Sequence, residues 1–148
     1  MSYRFDSFCG LYCGACLTLR ANKEGKVEEA AKAWGMKPED LVCNGCKSEV
    51  NASSCRECEI KACAKTKGVD FCIECPDYPC QYLKDLQADE WVHHRVILDN
   101  LERIKSAGLD NWLAEQKERW SCPNCGNPTG WYDAKCKKCG AEVVSCEE

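Results

Sequence analysis

Hydrophobic and polar positions fall into three regimes along this chain, and each predicts a different kind of structure. From residue 17 to 34 the apolar positions Leu17, Val27, Ala30, Ala31 and Trp34 line one helical face, with Glu28, Glu29 and Lys32 turned outward. Gly25 breaks or restarts this helix, and Gly35 followed by Pro38 ends it. Pro38-Glu-Asp-Leu starts one further turn that delivers the chain to Cys43. A second helical regime covers about 89–120. There Trp91, His94, Leu98, Leu101, Ile104 and Ala107 recur three or four apart, as an apolar stripe requires. Gly108 is a C-terminal stop, and Asp110 is placed to cap a last helix carrying Trp112, Leu113 and Trp120. These tryptophans read as core.

Elsewhere the periodicity gives way to cysteine, which occurs sixteen times in 148 residues. Fifteen fall into short, regular spacings: C9-x3-C13-x2-C16, C43-x2-C46, C55-x2-C58-x4-C63, C72-x2-C75-x4-C80 and C122-x2-C125-x10-C136-x2-C139. A C-x2-C pair puts two sulfurs on one face of a tight turn, at the edge of a tetrahedral ion. Cys146 has no partner in such spacing and is expected to be free.

The pattern 122–139 is the most specific. CPNCG and CKKCG, with ten residues between the pairs, read as a zinc ribbon. Gly126 and Gly140 follow the second cysteine of each pair, where a residue without Cβ can aim backbone N–H groups at the sulfurs. Trp131 and Tyr132 fit a short strand over the site. A CPxC redox pair would need the βαβ surroundings of a thioredoxin-like fold, which this segment lacks.

Residues 1–80 hold eleven cysteines but only thirteen Ile, Leu, Val and Phe. That aliphatic supply is poor for a self-sufficient core, so ions must act as crosslinks and metal binding becomes part of folding. The opening MSYRFDSFCG has no secretory pattern, and no apolar run approaches the roughly 20 residues of a membrane helix. The expectation is therefore a cytoplasmic chain, where thiols ligate metal rather than form disulfides. The formal charge of −4 falls to about −11 when fifteen thiolates hold four divalent ions. Such a surface does not suit nucleic acid, despite local basic spots at Lys65, Lys67, Lys135, Lys137 and Lys138.

The eleven N-terminal cysteines do not divide evenly into four-sulfur sites. In chain order they give Cys9, Cys13 and Cys16; then Cys43, Cys46, Cys55 and Cys58; then Cys63, Cys72, Cys75 and Cys80. Another partition joins Cys13 and Cys16 to Cys43 and Cys46, and Cys55 and Cys58 to Cys72 and Cys75. Either way three thiolates remain and need a fourth ligand, for which Asp6, Asp77, His93 and His94 are the candidates. A water in that position is what distinguishes catalytic from structural zinc. If the protein has chemistry, it belongs at the trio Cys9, Cys13 and Cys16, walled by Phe8 and Tyr12. CRECEIKAC and CIECPDYPC share a C-x-E-C-x4-C frame and suggest two similar hairpin-like knuckles. Cys9, Cys13 and Cys16 also have the spacing of radical S-adenosylmethionine enzymes, but these need a barrel of about 200 residues or more. An ordinary iron–sulfur cluster in the N-terminal segment is the stronger alternative to zinc.

CGLYCGAC at 9–16, CNGC at 43–46, CRECEIKACAKTKGVDFC at 55–72 and CIECPDYPCQYL at 72–83 together resemble a prokaryotic cysteine-rich family of unknown function. The resemblance covers about residues 5–105 and all eleven N-terminal cysteines. It implies zinc ligation by those cysteines and nothing catalytic. The C-terminal ribbon resembles generic zinc ribbons, which imply a fold rather than a function.

The sequence thus predicts a small metal-stabilised fold of helix and irregular structure. Residues 1–88 form a multi-knuckle cysteine-rich domain, 89–120 a helical connector packing on it, and 121–148 a zinc ribbon. Its metal ligands are Cys9, Cys13, Cys16, Cys43, Cys46, Cys55, Cys58, Cys63, Cys72, Cys75, Cys80, Cys122, Cys125, Cys136 and Cys139, holding three or four zinc ions. The expected role is a binding or adaptor module with structural sites and a protein partner, without membrane or nucleic acid. The rivals are an iron–sulfur redox protein and a metal sensor or enzyme using a three-thiolate site. No nucleophile–base pair, phosphate loop or nucleotide fingerprint is present.

Overall fold

The structure is a computed structural model that describes residues 3–147, the Ser54 side chain excepted. About half of it is helical. The elements are α1 (Leu17–Lys23), α2 (Val27–Trp34), α3 (Ser53–Arg56), α4 (Glu59–Lys67), α5 (Gln81–Gln87), α6 (Ile97–Ala107) and α7 (Leu109–Arg119), with short 3-10 turns between them. Extended pairing among the described residues is limited to two isolated bridges, Ser121 with Pro128 and Lys135 with Glu142. No helix among these residues is long and apolar enough to cross a membrane.

The stretch 17–34 is two helices, because Gly25 adopts a positive φ of 70° between them. Splitting it removes the common face expected of Leu17 and Trp34. Both are exposed, at 36% and 44%, and Leu19, Ala21 and Ala31 are buried instead. A similar correction applies at 91–107. Val92–Val96 forms a 3-10 turn before α6 begins. Its repeat of three rather than 3.6 residues shifts the stripe, so Ile97, Leu101 and Ile104 are buried while Trp91 is 52% exposed. Gly108 ends α6 and is also the N-cap of α7, which leaves Asp110 inside the first turn rather than capping it. There its carboxylate still suits the positive end of the helix dipole.

The two C-x-E-C-x4-C arms do not fold alike. The first continues as helix through Cys63, which lies within α4. The second is a 3-10 turn, Cys72–Glu74, followed by irregular chain to α5. Pro76 and Pro79 explain the difference, since proline lacks the N–H and the space that a continuing helix needs. The turn does match another one. Cys13–Ala15 and Cys72–Glu74 are both single 3-10 turns entered from an aromatic residue, Tyr12 and Phe71. In each, the second cysteine donates its N–H to the first cysteine's carbonyl at 3.1 Å.

Two buried clusters join the three segments. Phe8, Cys9, Ile60, Ala64, Cys72 and Leu83 of the cysteine-rich region pack with Ile97 and Leu101 of α6. Tyr12 and Ala15 pack with Ile104, Trp112 and Trp120 of the helical segment and with Trp131 beyond it. The ring of Tyr12 meets that of Trp112 edge-on at 6.0 Å. Trp131 and Tyr132 therefore form a turn that docks the C-terminal segment onto the helices, not a strand over the cysteine cluster. The Trp131 N–H donates to the Ala15 carbonyl at 3.2 Å, and the Cys146 N–H to the Trp131 carbonyl at 2.7 Å.

Candidate metal centres

Cys122, Cys125, Cys136 and Cys139 present sulfur atoms that all lie within 4.8 Å of one another. Among the described residues no other group of three or more His, Cys, Asp or Glu side chains is so tight. Two turns, fourteen residues apart and nearly identical in hydrogen bonding, build the quartet. The Gly126 N–H reaches the Cys122 carbonyl at 2.8 Å, and the Gly140 N–H reaches that of Cys136 at 2.9 Å. The N–H groups of Cys122 and Cys136 each donate at 2.8 Å, to the carbonyls of Asn127 and Ala141. Asn124 and Lys138 each aim a backbone N–H at the first sulfur of their pair, at 3.4 Å. The glycines, with φ of 76° and 79°, thus close the turn on a carbonyl. The sulfur is served by the residue two positions earlier, which the sequence pattern did not single out.

These donors make the sulfurs electrostatically unequal. The Asn124 side chain and the Ala141 N–H hold Cys139 down to about 6. The N–H groups of Cys139 and Lys138 lower Cys136. At Cys125 the Asn127 N–H acts the same way, but burial and the neighbouring thiols outweigh it, and the group rises to about 11. Four sulfurs this close, with Cys136 and Cys139 eased toward the thiolate, could hold one metal ion.

The N-terminal cysteines approach one another less closely. No disulfide joins any of the sixteen. Cys13 and Cys16 are neighbours, and the charge of Cys46 also bears on Cys13 and that of Cys43 on Cys16. Cys9 lies near Cys58, so Cys9, Cys13 and Cys16 are not gathered to the exclusion of the others. Between Cys43 and Cys46 the chain passes Gly45, whose φ is 119°. A Cβ there would sit 1.9 Å from the Arg4 carbonyl oxygen, and the Gly45 N–H donates to the Cys43 sulfur at 3.4 Å. Cys16, Cys58 and Cys80 occupy the N-caps of α1, α4 and α5, and the Leu19 and Thr18 N–H groups favour the Cys16 thiolate. Burial dominates nonetheless: it raises Cys9, Cys13 and Cys16, and pushes Cys46 and Cys72 to about 12. Such thiols are poor nucleophiles unless a cation stands among them.

The candidate fourth ligands are engaged elsewhere. Asp6 is buried and pairs with Lys47 at 3.0 Å and Arg4 at 3.2 Å. Asp77 pairs with Lys67 at 2.7 Å. His94 Nδ1 lies 2.8 Å from Asp89. His93 stacks on Trp131, ring centroids 4.1 Å apart, with Nδ1 2.7 Å from the Tyr132 hydroxyl. Cys146 lies beside the same turn, where burial raises its thiol.

A family profile described as Protein of unknown function (DUF3795) matches residues 5–85. The chain belongs to the DUF3795 family. The matched stretch contains all eleven N-terminal cysteines and ends before α6, so the tight C-terminal quartet lies outside the part that defines the DUF3795 family. Comparison with curated proteins and with solved structures gave no match.

Proposed function

We propose that this DUF3795 protein is a zinc-binding module whose thiolate sites are structural and whose role is to bind another protein. The geometry of the C-terminal quartet carries the reading. Zinc–sulfur bonds of ~2.3 Å in a tetrahedron give sulfur–sulfur edges of about 3.8 Å. Two such edges, Cys122 to Cys139 and Cys125 to Cys136, measure 3.6 Å. A disulfide would bring sulfurs to about 2.05 Å. The paired turns with their N–H···S bonds are the outer support that such a zinc needs, and on this reading residues 121–148 are a zinc ribbon. Four protein sulfurs leave no open coordination position for a substrate.

Metal ligation in residues 1–88 is part of the same proposal. It is supported by eleven cysteines in a region poor in aliphatic side chains and by buried thiols that a cation would bring to the thiolate form. The adaptor role is supported by exposed Trp34, Met36, Tyr82 and Trp91, aromatic and methionine side chains of the kind that protein interfaces favour. The deciding experiment is anaerobic purification of the full chain, followed by elemental analysis and native mass spectrometry. Three or four zinc ions per chain are expected. Two or fewer would overturn the grouping of the eleven N-terminal cysteines into two or three sites, and a brown sample containing iron and acid-labile sulfide would replace zinc with an iron–sulfur protein.

A further inference from the structure

Cys63, Cys72, Cys75 and Cys80 line one small cavity of about 20 Å³. That volume suits a single water or ion and little else. Three separate elements bring the cysteines there. Cys63 projects from α4, Cys72 and Cys75 bracket a 3-10 turn, and Cys80 stands at the N-cap of α5. Ile60, Ala64, Val69, Tyr78, Tyr82 and Lys67 complete the wall, so the four sulfurs are the soft ligands that the cavity offers to a cation.

A second observation points the same way. Lys67, one helical turn beyond Cys63, directs its ammonium at the Cys75 sulfur at 3.2 Å. Asp77 holds that ammonium from the other side at 2.7 Å. An ammonium only donates hydrogen bonds, and a thiolate is a far better acceptor for it than a neutral thiol. Four thiolates around a divalent cation keep an excess of two negative charges, which a fixed lysine partly offsets.

We propose that Cys63, Cys72, Cys75 and Cys80 form a second closed four-thiolate site for one soft divalent cation, with Lys67 as the outer hydrogen-bond donor to Cys75. This rests on the zinc-binding reading above and goes beyond it by fixing one of the open partitions. It separates Cys72 and Cys75 from Cys55 and Cys58. The remaining seven N-terminal cysteines, Cys9, Cys13, Cys16, Cys43, Cys46, Cys55 and Cys58, are left to other sites, with Cys9 bordering this one through Cys72. The four sulfurs are spread wider than those of the C-terminal quartet, so the cation draws the 72–80 segment inward as it binds.

The test is uptake of cadmium-113 by the full chain, with proton–cadmium correlation spectra that assign the cysteines attached to each ion. One cadmium resonance coupled to the β protons of Cys63, Cys72, Cys75 and Cys80 is expected. Coupling of Cys72 and Cys75 to an ion shared with Cys55 and Cys58 would overturn the site while leaving the zinc-binding reading intact. Cadmium confined to Cys122, Cys125, Cys136 and Cys139 would remove both this site and metal ligation in residues 1–88. Lys67→Met should weaken this ion alone by about 10- to 100-fold in chelator competition, as loss of an outer-shell partner does. Unchanged affinity would take Lys67 out of the site.

Discussion

Arg20, on α1, donates through Nη1 to Asp133, in the turn between the two halves of the C-terminal cluster, at 3.0 Å. The guanidinium is almost wholly buried, and its Nη2 also donates to the Pro128 carbonyl at 2.8 Å. Asp133 in turn accepts the Gly130 N–H at 2.8 Å. One side chain of the cysteine-rich region thus fixes both ends of the loop that separates CPNCG from CKKCG. Removing one partner of a buried pair costs about 3–5 kcal/mol, and Lys137, 4.0 Å from Asp133 and largely exposed, replaces Arg20 only in part. Arg20→Ala should therefore destabilise the protein by about that amount in denaturant unfolding. Amides of 121–147 should lose hydrogen-exchange protection first. Unchanged protection there would mean that Trp131 alone holds the segment in place.

Cys136→Ser should release the C-terminal ion and unfold 121–147 locally. On the proposed zinc-binding reading the N-terminal region should keep its metal, because its cysteines are not part of the quartet. Native mass spectrometry should show a loss of one ion. A loss of every ion would mean that the two regions fold as one unit through their shared tryptophan cluster.

Gly45→Ala should be among the most damaging single-atom changes in the chain. The added methyl would meet the Arg4 carbonyl, at a backbone φ that residues with a Cβ avoid. A cost of about 2–4 kcal/mol is expected from strain and displacement combined, and, on the proposed zinc-binding reading, weaker metal retention at Cys43 and Cys46. Thermal unfolding of the metal-loaded variant measures the first, and chelator competition the second.

His93 predicts a pH dependence. Burial, with a smaller contribution from the His94 charge, lowers its pKa to about 4 against an ordinary 6.5, although Asp89 pulls the other way. The unfolded chain therefore takes up a proton at higher pH than the folded one. Stability from this group is complete above pH 6.5 and declines as pH falls towards 4. The ring keeps some solvent contact, so screening limits the loss to about 1–2 kcal/mol. His93→Phe keeps a ring on Trp131 without the titration. Between pH 7 and 5 it should lose less stability than the wild type, and equal losses would show that the imidazole is not the cause.

Cysteine spacing made the C-terminal quartet legible, because two C-x2-C turns closing on each other is a local geometry that needs little from the rest of the chain. Helix ends at Gly35 and Gly108 were legible for the same reason. Faces were less so. Trp34 and Trp91 have the spacing of core residues yet lie exposed, since a break at Gly25 and a 3-10 turn at Val92–Val96 reset the phase that periodicity extends without interruption. The hairpin repeat misled because matching cysteines outweighed Pro76 and Pro79, which decide the backbone.

By itself, the sequence determined that helices would carry residues 97–119 and that Cys122, Cys125, Cys136 and Cys139 would meet. Which N-terminal cysteines face one another was decided by tertiary structure. Eleven equivalent ligands admit several partitions, and only the packing of α4, α5 and the 3-10 turns brings Cys63 and Cys80 to the same cavity as Cys72 and Cys75. The docking of the C-terminal segment through Arg20, His93 and Trp131 was likewise invisible in sequence. It pairs residues 113 and 38 positions apart, and no local periodicity encodes a contact made across that much chain.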